Sequence, residues 1–181
     1  MTYTDIIIQR IQKKRKILVE ATDPLLIGLS QKLEHASHKV VIQFIFSAIE
    51  PIIQELKSIF PDLKLIENAF KDAQRWAYGE VKMGVVKPQI LAIHRLSKTN
   101  NKPEQVALLH AYAQGLSVIH SKKHAMGLPI YELTAIILKH QVNRYEEVIQ
   151  TRLAFYEALL QRIHSTIDIN TYADFIQNKG E

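Results

Sequence analysis

The stretch that decides the fold runs from residue 103 to residue 122 and reads PEQVALLHAYAQGLSVIHSK. Apolar side chains recur in it at intervals of three and four residues, which is the spacing of an α-helix. Projected at about 100° per residue, they form one broad face: Leu108, Ala111, Tyr112, Gly115, Leu116, Val118 and Ile119. Ala111 and Gly115 are small enough to let another helix approach closely. The stretch therefore predicts a buried helix.

The same spacing extends outward through the rest of the chain. Segments of this kind run about 4–22, 24–36, 39–59, 62–79, 84–98, 103–122, 125–141, 145–165 and 168–178. Pro51 is expected to bend or split the segment 39–59, because proline removes a backbone donor and clashes with the preceding turn. Strand signals are nearly absent. The fold class is therefore predicted to be all-α, a compact multi-helix bundle of about eight or nine helices.

Composition narrows the class of protein. The chain has 181 residues, 47% of them hydrophobic, so a single domain over residues 1–181 is expected to bury its own core. It has no cysteine, which excludes disulfides, a thiolate zinc site and a cysteine nucleophile. Neither a secretory signal nor an uncharged membrane-spanning run is recognisable, so we expect a cytoplasmic protein with no membrane partner.

The charge of the chain is moderately basic. A net charge of +5 favours an acidic partner or nucleic acid, but the excess is too small to decide between them. The densest basic patch is Lys13-Lys14-Arg15-Lys16, with Arg10 one turn earlier, and no aromatic residues that could stack on bases are interleaved with it. A solvated helix face is therefore favoured over a nucleic-acid site.

Glu80 is the first candidate site residue. A helical projection of residues 62–80 places it in the same arc as Ala73 and Trp76, on the expected core face. If the helix continues past Gly79, the carboxylate points inward and needs a donor or a raised pKa. If Gly79 ends the helix, Glu80 turns to solvent. The sequence leaves both interpretations open.

Three histidines are the other candidates. His94 falls at the edge of an apolar face, where it is either a core residue satisfied by one hydrogen bond or a ligand or proton-transfer group. His120 and His124 have the i, i+4 spacing that can chelate a metal ion on a helix, although the intervening Lys122 and Lys123 oppose cation binding. His110 projects onto the opposite, polar face and is interpreted as solvent-exposed.

Catalytic motifs do not stand out in this sequence. It contains no phosphate-binding glycine loop, no Gly-x-Ser-x-Gly elbow and no paired-carboxylate motif. We therefore predict that the protein is not an enzyme and needs no cofactor.

Several of these residues belong to blocks that resemble a known family. The blocks are Arg75-Trp76-Ala77-Tyr78-Gly79-Glu80-Val81-Lys82, Ile93-His94, Ala113-Gln114-Gly115-Leu116-Ser117-Val118-Ile119-His120, His124-Ala125-Met126-Gly127 and Tyr131. In this order they resemble the immunity-protein family of bacterial polymorphic toxin systems, in its immunity-five-like group. The resemblance spans about residues 40–165. Ile119 stands where the family pattern has alanine, and Pro129 where it has a small helix-former.

This resemblance implies an all-α bacterial protein that binds and neutralises a cognate toxin as a stoichiometric inhibitor. It carries over Trp76, Glu80, His94, His120 and His124 as motif positions that could line a pocket. It also divides the chain into an N-terminal helical extension (1–37), a family-like core (38–165) and a short C-terminal helix or tail (166–181). The basic charge favours a toxin other than a nuclease, because a nuclease inhibitor would more naturally be acidic.

An alternative function is small-molecule or metal binding. In that case Glu80, His94 and His120 converge on one pocket beside Trp76, and His124 joins them as a possible metal ligand. The prediction that separates the two functions is structural: the four polar side chains either share a cavity or are kept apart by apolar neighbours.

Overall fold

A computed structural model of the chain describes residues 2–140, 145–166 and 170–176. Within these residues it has nine α-helices, one 3₁₀ turn and no strand, which confirms the predicted all-α class. The helices are α1 (Tyr3–Gln12), α2 (Ile27–His35), α3 (His38–Ala48), α4 (Glu50–Ile59), α5 (Leu65–Ala77), α6 (Met83–Thr99), α7 (Pro103–Ser117), α8 (Gly127–His140) and α9 (Tyr145–Thr166). The 3₁₀ turn is Lys122–His124. No described helix is both long and apolar enough to cross a membrane.

Helix α7 lies at the centre of the bundle and contacts α3, α4, α5, α6 and α8. Its small residues make this possible, as the sequence predicted. A Cβ atom added at Gly115 would lie 3.0 Å from methyl groups of Ile49 and Leu128, so the neighbouring side chains reach the α7 backbone there. Tyr112 on the same helix is fully buried, and its hydroxyl donates to the carbonyl of Ile66. The core is therefore built around α7.

The chain breaks as predicted at Pro51. Helix α3 ends at Ala48, α4 begins at Glu50, and Pro51 occupies the first turn of α4, where its missing N–H costs no helical hydrogen bond. The two short helices thereby present different faces to the core. Arg152 of α9 donates from Nη2 to the carbonyl of Ala48, 2.5 Å away, and so satisfies one of the free carbonyls at the end of α3.

The expectation of one helix over residues 4–22 is wrong. Helix α1 ends at Gln12, because Lys14 adopts a positive φ of 52° and the N–H of Arg15 donates back to the carbonyl of Arg10. The following residues leave the helix to reach the core, where the N–H of Leu18 donates to the Thr134 hydroxyl, 3.2 Å away. A residue near the end of the predicted segment, Asp23, is buried beside Arg10.

Arg10 is therefore not part of a solvated basic face. Its guanidinium donates to both carboxylate oxygens of Asp23, at 2.6 and 2.8 Å, and to the carbonyl of Leu18. Arg15 is exposed like Lys13, Lys14 and Lys16, but it pairs with Glu20 at 2.7 Å. The paired arginines fold the N-terminal segment on itself.

The C-terminal helix expected over 168–178 is not found in the part that the structure describes. Residues 170–176 form turns and bends, and the rest of that segment lies outside the described residues. The N–H of Ala173 donates to the carbonyl of Ala77, 2.9 Å away, and Tyr172 donates from its hydroxyl to Gln43 Oε1 at 2.6 Å. These bonds hold residues 170–176 against the middle of α3 and the end of α5.

A buried ion pair joins α8 to α9. Glu132 Oε1 lies 2.9 Å from Arg152 Nε, and the Tyr156 hydroxyl donates to the other oxygen of the same carboxylate. The Arg152 guanidinium also lies over the rings of Phe155 and Tyr156, 4.4 and 4.8 Å from their centroids. Burial raises the pKa of Glu132, and the positive charge of Arg152 acts in the opposite direction. The pair fixes how α9 lies on the bundle.

Candidate functional site

Glu80 turns to solvent, which is the second of the two interpretations of the sequence. Gly79 follows α5 with a φ of +80°, and the N–H of Glu80 donates to the carbonyl of Arg75, an arrangement that ends the helix. The Glu80 carboxylate lies 3.3 Å from Arg75 Nε, and its side chain is 57% exposed. Arg75 also pairs with Asp72 at 2.9 Å. Glu80 is thus part of a surface ion-pair network.

Trp76 belongs to a cluster of aromatic side chains that we call the aromatic patch: Trp76, Tyr78, Tyr172 and Phe175. The Trp76 ring packs edge-on against Phe175, with centroids 5.0 Å apart, and Tyr78 lies 5.4 Å from Tyr172. Tyr78 and Phe175 are 50% and 54% exposed, whereas Trp76 is partly buried and Tyr172 is buried. Half of this cluster comes from residues 170–176, almost 100 positions away, which sequence reasoning did not connect to Trp76.

His94 lies in a column of three rings with His110 and Tyr131. The centroid of His110 is 5.6 Å from that of His94 and 5.1 Å from that of Tyr131. The interpretation of His110 as solvent-exposed is wrong, because α6 and α8 pack on both sides of α7 and leave this ring only partly accessible. The sequence did contain one signal: Ser97 lies one helical turn beyond His94 and offers a hydrogen-bond partner for a histidine on the neighbouring helix.

A hydrogen bond to Ser97 indicates that Nε2 of His110 carries a proton. The Ser97 hydroxyl donates to the carbonyl of His94 at 2.8 Å, so its oxygen is left to accept from His110 Nε2, 3.3 Å away. Burial lowers the pKa of His110, and the neighbouring charges of His94 and Lys16 lower it further. Burial likewise lowers the pKa of His94, with His124 and Lys98 as the next causes. Burial therefore favours the neutral form of both imidazoles.

His120 and His124 are neighbours, but they do not share a helix. Helix α7 ends at Ser117, after which N–H groups donate three residues back and tighten the chain, so the predicted continuation to residue 122 is wrong. The two rings nevertheless lie 5.1 Å apart. Burial lowers the pKa of His120, followed by the charges of His124, Lys87 and His38.

His124 is held by Gln114, with its Nδ1 2.8 Å from Gln114 Oε1. Gly127 makes this contact possible. A Cβ atom at Gly127 would lie 2.5 Å from Gln114 Cβ, so any larger residue would push α8 away from α7. Two of the quoted sequence blocks thus meet at one helix crossing, where Gln114, His124 and Gly127 depend on one another.

The structure does not gather the candidate residues into a metal site. Among the residues it describes, no group of three or more His, Cys, Asp or Glu side chains could hold a metal ion. Glu80 is engaged by Arg75, and His124 by Gln114. A cavity of about 580 Å³ does open beside the ring column, but it is lined by His110 and Tyr131 and not by Trp76, Glu80, His94 or His120. This cavity is therefore not the pocket that the sequence suggested.

The sequence blocks around Trp76, His94, Gln114 and His124 lie within a match to a known protein family. A family described as "Imm-5 like putative immunity protein" matches residues 31–159. The chain belongs to this family. The match covers most of the chain and confirms the resemblance drawn from residues 75–82, 93–94, 113–120, 124–127 and 131. The comparison with curated proteins and the comparison with solved structures found no match.

Proposed function

We propose that this chain is a bacterial immunity protein that binds and neutralises a cognate toxin in the cytoplasm, as a stoichiometric inhibitor and not as a catalyst. The observation that carries the proposal is the family match over residues 31–159. Membership makes a protein partner the first expectation, and the partner of an immunity protein is a toxin.

The aromatic patch is the surface we propose for the toxin. Binding energy at protein interfaces is concentrated in a few Trp, Tyr and Arg side chains, which lie in a centre ringed by polar groups. The patch offers Trp76 and Tyr78 next to Arg75, and the exposed ring of Phe175 widens it. The Arg75 and Glu80 pair lies at its edge and supplies a polar rim.

The anchoring of the patch supports this role. The bonds from Ala173 to Ala77 and from Tyr172 to Gln43 hold the aromatic residues in place before any partner arrives. A surface that is already ordered loses less conformational entropy on binding, so more of the contact energy contributes to affinity. The net charge of +5 further favours a toxin whose contact face is acidic or neutral.

The test is co-expression in a bacterial host with each protein encoded beside this chain, scored by growth. We expect the wild type to restore growth against one of them. The Tyr78→Ala/Phe175→Ala double variant should lose this protection, since each truncation at an interface centre weakens binding by about 30-fold or more. Ile27→Ala on α2 is the matched control, because Ile27 is a comparably exposed apolar residue at 46%.

The two parts of the proposal fail separately. If the wild type restores growth against none of the neighbouring proteins, the immunity function is contradicted. If the double variant protects as well as the wild type and Ile27→Ala do, the immunity function stands but the aromatic patch is not its surface. Equal thermal midpoints for the three proteins are required, so that loss of protection reports binding and not unfolding.

A further inference from the structure

The cavity of about 580 Å³ beside the ring column has the features of a ligand site. It lies where the end of α6 and the start of α7 meet Tyr131 of α8, and the segment around Lys16 and Ile17 closes one side. Its volume is within the range of pockets that take small molecules, about 300–1,000 Å³. None of the residues that line it belongs to the aromatic patch.

The charged side chains that line this cavity, among the described residues, are positive. Lys16 and Lys98 are both exposed at its rim, and among the described side chains that line it there is no carboxylate. Neither lysine forms an ion pair with a residue that the structure describes. Two free ammonium groups that face a cavity without a counter-charge favour an anionic occupant.

A free donor lies inside the cavity as well. The Tyr131 ring is half-buried, and its hydroxyl has no hydrogen-bond partner among the described residues. His110, by contrast, is already engaged by Ser97 through Nε2. The phenol therefore offers the donor that a carboxylate oxygen accepts well, and the two lysines supply charge to the same group.

The rest of the lining combines polar side chains, Ser97, Asn100 and Asn101, with an apolar wall. Pro103, Val106 and Ala107 from the first turns of α7 form one wall, and Ile17 faces the cavity from the N-terminal segment. An ion without an apolar body would leave these groups in contact with water, whereas a hydrocarbon body would cover them. The occupant that suits all of these features has an anionic head and an apolar tail.

We propose that this cavity binds a small carboxylate with an apolar body, whose head group is held by Tyr131, Lys16 and Lys98. This would be an activity separate from toxin binding, and it does not rest on it. The residues of the site come from the N-terminal segment, α6, α7 and α8, so an occupant would also hold the N-terminal segment against the bundle.

The experiment is isothermal titration calorimetry of the full chain with phenylbutyrate, its neutral amide phenylbutyramide, and inorganic phosphate. We expect phenylbutyrate to bind about tenfold more tightly than the amide, because the amide cannot form charge-assisted hydrogen bonds as the carboxylate does. Inorganic phosphate should bind more weakly than phenylbutyrate, since it leaves the apolar wall uncovered.

Variants assign the binding to this cavity. Lys16→Gln/Lys98→Gln should weaken phenylbutyrate binding about tenfold, and Tyr131→Phe, which removes only the hydroxyl, about fivefold. Lys71→Gln is the matched control, because it removes one exposed positive charge from α5 and should leave affinity unchanged. Unfolding midpoints equal to that of the wild type show that each variant is folded.

Three results would overturn the proposal. The first is the absence of any heat of binding for phenylbutyrate up to about 10 mM. This concentration is about tenfold above a dissociation constant of about 1 mM, which corresponds to weak binding. The second is equal affinity for the acid and the amide, or tighter binding of phosphate than of phenylbutyrate. The third is that the lysine double variant and Tyr131→Phe bind phenylbutyrate as the wild type and Lys71→Gln do.

Discussion

Replacing Gly127 with alanine should loosen the crossing of α7 and α8. The added Cβ would lie 2.5 Å from Gln114 Cβ. Carbon atoms in contact are ordinarily about 3.5–4.0 Å apart, so the two helices must separate by about 1 Å at this point. Gln114 cannot rotate away, because its Cβ is fixed by the backbone of α7. The change therefore acts on the packing of two helices rather than on one flexible side chain.

The size of the effect follows from overpacking. Inserting a methyl group into a well-packed contact costs about 1–3 kcal/mol, and Gly127 is the first residue of α8, so little helix propensity is gained in return. For a chain of this length, a loss of about 2 kcal/mol lowers the thermal midpoint by about 4–8 °C. The contact between Gln114 and His124 should be disturbed at the same time, which would shift the NMR signals of the His124 ring.

Gly84→Ala is the matched control. Gly84 is the second residue of α6, and nothing lies within 4 Å of the Cβ that alanine would add. Alanine there should raise the stability by about 0.4–1 kcal/mol, because it restricts the unfolded chain. Differential scanning calorimetry of both variants is the assay. A Gly127→Ala midpoint equal to or above that of the wild type would refute the close crossing.

Two further predictions concern buried polar groups. Arg152→Met should reduce the free energy of unfolding, measured in urea, by about 3–5 kcal/mol, because it leaves the Glu132 carboxylate buried without its partner. Adding Glu132→Gln should recover part of this loss. A loss below about 1 kcal/mol would contradict the buried ion pair. The pKa values of His94 and His110 are lowered by burial from an ordinary value of 6.5, so the unfolded chain takes up protons first as the pH falls. Their contribution to stability should be complete above about pH 6.5 and be lost below it. His110→Gln should therefore lose less stability than the wild type between about pH 7.5 and pH 5, and an equal loss in both proteins would show that His110 does not titrate in the way its burial implies.

The helices of this fold could be read from the sequence, but some of their ends could not. Apolar spacing located α3 to α9, and Pro51 and Gly79 marked a break and an end for stereochemical reasons. The segment after Gln12 was predicted as helix because its apolar residues have helical spacing. In the structure this segment leaves the helix, and the N–H of Leu18 donates to the hydroxyl of Thr134. These two residues are more than 100 positions apart, so no local pattern encodes their contact.

The candidate site was predicted less well, for two physical reasons. A helical projection assumes that one face meets solvent, whereas α7 is enclosed on several sides, and so His110 lies against Tyr131. A projection also treats each helix alone, so it could not bring Tyr172 and Phe175 to Trp76. The quoted blocks did locate Gln114, His124 and Gly127, which share one crossing because each needs the others in place.

The function that we propose is the neutralisation of a toxin by formation of a complex with it. The most direct measurement is a titration of the purified toxin's activity with the purified chain, at toxin concentrations well above the dissociation constant. We expect the activity of the toxin to fall linearly and to reach zero at a fixed molar ratio, with a stable complex recovered by size-exclusion chromatography. Loss of activity at far smaller amounts of the chain, with the toxin chemically altered and no complex formed, would contradict stoichiometric inhibition and indicate catalysis.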